Sequence, residues 1–119
     1  MNTANDNTFP REARLLDGTS YGTVFKKNKR LTNRYWIVLG HRSQSPTSRL
    51  GLAIAKKRAK RAVDRNLIKR IARESFRYNR LVLKGFDVVV MNKDAAAKAT
   101  SIELRQSLDT LWVDLASRK

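Results

Sequence analysis

The side chains in this chain that can do chemistry are mostly cationic, and their spacing gathers them on one surface. Positions 56 to 80 hold eleven Lys and Arg against two acidic residues. Projected at roughly 100° per residue, a helix over 59–81 sets Arg61, Arg65, Lys69, Arg73, Arg77 and Arg80 opposite Val63, Leu67, Ile71, Tyr78 and Leu81. Guanidinium forks hydrogen-bond phosphate bidentately and stack on bases, whereas lysine supplies a point charge. Asn66 adds a neutral donor and acceptor beside them. The chemistry implied is recognition of a phosphate-rich polyanion. Bond-breaking chemistry has no comparable set: His41 is the only histidine, the ten carboxylates are scattered, and no phosphate-cradling P-loop motif is present. Asp64 and Glu74 fall toward the apolar side and read as ion-pair partners of nearby Arg or Lys. A second group is aromatic: Tyr21 and Phe25 lie one helical turn apart and emerge on one face.

Elements must carry these groups. Tyr21, Val24 and Phe25 predict a short helix after Asp17-Gly18-Thr19-Ser20. Residues 34–42 and 49–55 read as strands, and the Pro46-containing segment 43–48 as a hairpin loop that makes them neighbours. Alternation puts Tyr35, Ile37 and Leu39 on one face of the first. On the second, Leu50, Leu52 and Ile54 face a core, while Gly51, Ala53 and Ala55 leave room on the other side. Phe86 to Met91, introduced by Gly85, reads as a buried strand. The last helix opens with a capping box from Thr100 to Glu103 and carries Leu104, Leu108, Leu111, Trp112 and Leu115 on one stripe.

The whole-chain figures agree. The 119 residues carry 26 Lys and Arg against 10 Asp and Glu, a net charge of +16 and a pI near 11.2. More than half of that net charge lies in positions 56–80. Such a field seeks a polyanion. The absence of cysteine excludes a disulfide framework and a thiolate nucleophile. With no signal-peptide stretch and no long apolar run, the reading is a cytoplasmic protein without a membrane partner.

The stretch LAIAKKRAKRAVDRNLIKRIARESFR strongly resembles the signature region of the bacterial ribonuclease P protein subunit. In that family a Lys-Lys pair ends a strand, and an Arg-Asn-Arg element, a Lys-Arg pair and an Arg-Glu pair follow on the next helix. Lys56-Lys57, Arg65-Asn66, Lys69-Arg70 and Arg73-Glu74 stand in those places; Leu67 replaces the second arginine of the Arg-Asn-Arg element. The upstream RLLDGTSYGTVFKKNKRLTNRYWIVL and the downstream FDVVVMNKDAA extend the likeness. The resemblance implies an α+β fold, a single-domain α-β-β-β-α-β-α sandwich with a left-handed βαβ crossover, over residues 11–119 behind a disordered tail at 1–10. It also implies that the chain binds a catalytic RNA, and that together they remove the 5′ leader from precursor tRNA using Mg²⁺ held chiefly by RNA. The catalytic RNA would meet Lys56, Lys57, Arg61, Arg65, Asn66, Lys69, Arg70 and Arg73. The leader would enter a cleft lined by Tyr21, Phe25 and Leu39, with Asn33 and Arg34 near it. No residue of the chain is expected to be catalytic. The rivals are a basic ribosomal protein, which composition alone does not separate, and a DNA-binding regulator, which lacks a second helix at helix-turn-helix spacing.

Overall fold

The valine run of FDVVVM decides the sheet. Val88, Val89 and Val90 are fully buried although neighbours on a strand point to opposite faces, so this strand belongs in the interior of a sheet. The computed structural model describes residues 18–26, 28–43 and 47–117, with side chains described from residue 22 onward. The elements are α1 (Gly18–Lys26), β1 (Lys29–Thr32), β2 (Trp36–Arg42), β3 (Arg49–Ala53), α2 (Ala62–Tyr78), β4 (Phe86–Asn92) and α3 (Ser101–Ser117), with 3₁₀ turns at Lys56–Arg58 and Asp94–Lys98. The strands lie in the order β1-β2-β4-β3. β2 is antiparallel to β1 and to β4, and β3 is parallel to β4. This is an α+β fold of three helices and one mixed sheet, in the helix and strand order expected above. The predicted β2–β3 hairpin is corrected: β4 inserts between those strands, because it has two faces to bury. β1 is a short edge strand whose only buried side chain is Leu31. A single apolar residue among polar ones leaves no periodic signal.

One face of the sheet carries the main core. Trp36, Val38, Leu50, Phe86, Val88 and Val90 meet Ile68, Ile71, Ala72 and Phe76 of α2 and the full predicted α3 stripe from Leu104 to Leu115. Burying each such large side chain contributes about 1.5–3 kcal/mol. Both indoles are satisfied: Trp36 Nε1 donates to the Leu104 carbonyl at 3.0 Å, and Trp112 Nε1 donates to Ser75 Oγ at 2.7 Å. The capping box forms as predicted, with the Thr100 amide donating to Glu103 Oε1 at 2.9 Å and the Glu103 amide to Thr100 Oγ1 at 3.1 Å. Gly40 lets α3 approach, since a Cβ there would stand 2.7 Å from the Leu115 methyls.

The opposite face is covered by α1 through a smaller cluster of Val24, Leu39 and Val89, edged by Ile37, Ala53 and Met91. Thus α1 and the α2–α3 pair sandwich the sheet.

The predicted phase of the basic helix needs correcting. α2 buries Ile68, Ile71, Ala72, Ser75 and Phe76, whereas Val63, Tyr78 and Leu81 of the predicted apolar side are 58%, 71% and 90% exposed. The projection followed the large apolar residues and ignored Ala72 and Ser75. The close approach of α3 favours the small side chain, and Trp112 and Asp109 both hydrogen-bond the hydroxyl. Leu67 is half-buried against the main core, as its predicted side required. Glu74 reaches Arg105 of α3 at 4.0 Å.

Candidate nucleic-acid interface

α2 turns its solvent side outward with Asn66, Arg70 and Arg73 exposed, while Lys69 lies half-buried at the flank. Before it, the chain leaves β3 through the 3₁₀ turn that exposes Lys56 and Lys57. That turn is tied at both ends. Buried Asn92 at the end of β4 accepts from the Ala55 amide at 2.7 Å through Oδ1 and donates to the Ala55 carbonyl through Nδ2 at 3.4 Å. Ala59, 1% exposed, anchors the other end in the core. Arg65 then reaches back, its Nη1 donating to the carbonyls of Ala59 at 2.9 Å and Lys60 at 2.8 Å. Arg61 stands at the N-cap of α2 and makes no side-chain cap there. The positive end of the helix dipole, partly offset by Asp64 in the first turn, adds to Lys56, Lys57, Arg58, Lys60 and Arg61, and the net positive charge suits phosphate groups. Asn92 went unread in the sequence; its signal is a lone amide closing an apolar strand.

The other surface lies beside α1. Val24 seats the helix on Leu39 and Val89, and Phe25 next to it is 47% exposed. Strand register places Thr32, Ile37, Met91 and Ala53 in one row across β1, β2, β4 and β3. Ile37, Met91 and Ala53 are only half-buried, which leaves a shallow apolar floor next to the helix. Leu39 lies under α1, 5% exposed. The side chain of Tyr21 falls outside the described residues. Asn33 folds its amide into the β1–β2 turn: Oδ1 accepts from the amides of Tyr35 at 2.9 Å and Trp36 at 3.0 Å, and Nδ2 donates to the Ser107 carbonyl of α3 at 3.0 Å. Arg34 is exposed above the Tyr35 ring, 5.6 Å from its centroid. Tyr35 corrects the expected alternation. It precedes β2, the Asn33 turn swings it to the α3 side, and its hydroxyl lies 3.4 Å from Glu103.

At the end of the sheet away from the half-buried row, Arg49 donates bidentately to Asp87 at 2.9 and 2.6 Å. His41, partnered with Asp87 across the ladder, is half-buried near the end of β2. Among the described residues no three His, Asp or Glu side chains come together in a way that could hold a metal ion. What the described residues assemble is positive charge, hydrogen-bond donors and a half-buried apolar row beside α1.

Comparison with known proteins gives the arrangement a family. Residues 9–116 match the ribonuclease P family. The chain is 43% identical over 113 residues to the ribonuclease P protein component of Pseudoalteromonas atlantica, spanning 95% of this chain and 94% of that one. It is 40% identical to the protein component of Thioalkalivibrio sulfidiphilus, spanning 94% and 93%. The fold superposes on the RNase P protein of Thermotoga maritima with a TM-score of 0.75 at 33% identity, covering 85% of this chain and 96% of that one. On a mutant Staphylococcus aureus RNase P protein the TM-score is 0.82 at 26% identity, covering 92% and 93%. Because the match runs from before α1 into the last turn of α3, the chain belongs to the ribonuclease P protein family, as the protein component of a ribonucleoprotein endoribonuclease involved in the 5′ maturation of tRNA.

Proposed function

We propose that this chain bridges two RNAs: the exposed face of α2 with the Lys56–Lys57 turn holds the catalytic RNA, and the groove between α1 and the sheet takes the 5′ leader of precursor tRNA. The observation that carries this reading is the placement of the groove floor. Ala53, at one end of the half-buried apolar row, is followed three residues later by Lys56, so an apolar track for bases runs directly into a cationic turn for phosphates. Arg61, Arg65, Asn66, Lys69, Arg70 and Arg73 extend the catalytic-RNA surface. Phe25 supplies a ring for stacking, and Arg34 a charge at the far corner.

Mg²⁺ enters with the RNA in this reading. The chain's own work in this reading is to position strands and to neutralise phosphates that would otherwise repel one another. Removing repulsion between leader and catalytic RNA lowers the cation concentration their assembly requires. The left-handed sense of the β3–α2–β4 connection belongs to this reading through the family resemblance, against the right-handed sense of about 98% of such units. The place of action in this reading is the cytoplasm, where its RNA partners would be met. Family membership removes the ribosomal-protein alternative.

The test is reconstitution with the cognate catalytic RNA, measuring binding of precursor and mature tRNA side by side. The reading requires the protein to tighten binding of precursor more than of mature tRNA. Equal tightening of both would refute the leader groove, and no tightening of either would refute the bridge.

A further inference from the structure

The last residue of α2 stands in the open. Tyr78 is 71% exposed, whereas Phe76, two residues earlier, is fully buried edge-on against Trp112. Two guanidinium groups flank the exposed ring: that of Arg105, from α3, lies 4.8 Å from its centroid and that of Arg77 5.5 Å. With 71% of the residue open, they cover the ring only in part. We infer that Tyr78 is a stacking platform for one unpaired base of the catalytic RNA. The inference deepens the reading of α2 as the catalytic-RNA surface and rests on it, adding a contact to a base where the arginines of the helix contact phosphates.

The platform is held in place before any RNA arrives. Asp109 of α3 accepts from the Ser75 hydroxyl and from Asn79 Nδ2 at 3.3 Å, and lies 3.4 Å from Arg105 Nε. Asn79 also closes the last turn of α2, its side chain donating to the Ser75 carbonyl at 2.8 Å and its amide to the Phe76 carbonyl at 3.0 Å. Glu74 holds Arg105 from one turn earlier, at 4.0 Å. Two carboxylates thus compensate the charge of Arg105, which makes its guanidinium a flat support for the ring rather than a phosphate ligand. The phosphates of the same strand fall to Arg73 and Arg70, both exposed, ~7.5 and ~12 Å back along the axis at 1.5 Å per residue. Positions 70–80 carry Arg70, Arg73, Arg77 and Arg80 against Glu74 alone, a balance that favours a polyanion over an apolar protein partner. Leu81 and Val82, 90% and 47% exposed, continue the apolar edge beyond the ring. An aromatic face among arginines is the combination that reads unpaired RNA, since every base has a π-face to offer.

The experiment measures binding of the whole protein, as Tyr78→Phe and as Tyr78→Leu, to its catalytic RNA across a salt series, with Tm recorded beside it. Both exchanges leave an apolar side chain at an exposed position, and both are expected to keep a Tm near that of wild type. Tyr78→Phe retains a ring and is expected to bind as wild type does. Tyr78→Leu is expected to weaken binding about 5- to 150-fold, the range for one stacked base, with the salt slope unchanged because no phosphate contact is lost. Equal affinity of the Leu variant and wild type overturns the platform, even where binding of precursor tRNA falls. Equal weakening in the Phe and Leu variants assigns the contact to the hydroxyl and overturns stacking. Arg70→Ala with Arg73→Ala separates this inference from the reading it rests on: if α2 is not an RNA surface, that pair leaves the salt slope intact, whereas failure of the platform alone leaves the slope lowered by the pair and Tyr78→Leu at wild-type affinity.

Discussion

At the scale of single residues, the side chains that matter most to the architecture are those with one geometry available. Gly40 is one. A methyl group there would meet Leu115 within 2.7 Å, so Gly40→Ala is expected to destabilise by about 1–3 kcal/mol, the range for overpacking. A denaturant titration reads this directly, and adding Leu115→Ala should return only part of the stability, because the deletion opens space elsewhere in the core. Asn92 is another. It is 1% exposed and holds both backbone groups of Ala55; Asn92→Ala leaves the Ala55 amide unpaired, at about 1–3 kcal/mol. Because Ala55 precedes the Lys56–Lys57 turn, this variant should also bind the catalytic RNA more weakly than an equally destabilised core variant. Equal binding by the two would show that the turn needs no such anchor.

At the scale of elements, α2 and α3 differ in what their termini do. α3 closes its own N-terminus through Thr100 and Glu103, and the backbone bond to Thr100 is the largest cause holding the Glu103 carboxyl below its ordinary pKa, followed by the bond to the Thr100 side chain. A carboxyl lowered by folding stabilises the native state above its unfolded pKa, and that contribution disappears as pH falls through the lower folded value. Glu103→Gln should therefore flatten the acid limb of stability against pH while leaving the neutral and alkaline limbs parallel to wild type. Thr100→Ala, which removes the cap, should lower stability by about 1 kcal/mol at neutral pH. α2 makes no side-chain cap; Asp64 lies in its first turn and Arg61 at its N-cap. Arg70→Ala and Arg73→Ala should reduce the salt slope of catalytic-RNA binding by ~0.7–0.9 for each phosphate that is no longer neutralised, with no change in Tm. Arg65→Ala should lower Tm as well, since its guanidinium bridges the carbonyls of Ala59 and Lys60.

At the scale of the whole molecule, one sheet separates two surfaces, and the assembly should behave accordingly. Phe25→Ala is expected to weaken precursor binding by about 1–3 kcal/mol if one leader base stacks on the ring, while binding of mature tRNA and of the catalytic RNA stays unchanged. Competition binding with the reconstituted particle checks this. A parallel decrease for mature tRNA would place Phe25 outside the leader path.

The sequence alone determined whatever depends on one segment and its neighbours along the chain. The α3 stripe and its capping box were readable because a helix that buries one face repeats its apolar residues, and a cap needs only two positions three apart. The alternation of Leu50 and Leu52 against Gly51 and Ala53 was readable for the same reason, and the concentration of charge in 56–80 needed no structure at all. Tertiary structure decided what depends on a partner distant in the chain. β4 took the place between β2 and β3 because only a strand with two apolar faces gains by being interior. The buried side of α2 rotated toward Ala72 and Ser75, since the size and hydrogen bonds of α3 set how closely it can pack. Tyr35 crossed to the other layer through a turn closed by Asn33. The Ala55 and Arg65 tethers, like the packing of Arg105 on Tyr78, join segments far apart in sequence or backbone groups with no residue-type signature, and only the folded chain brings them within hydrogen-bonding or van der Waals range.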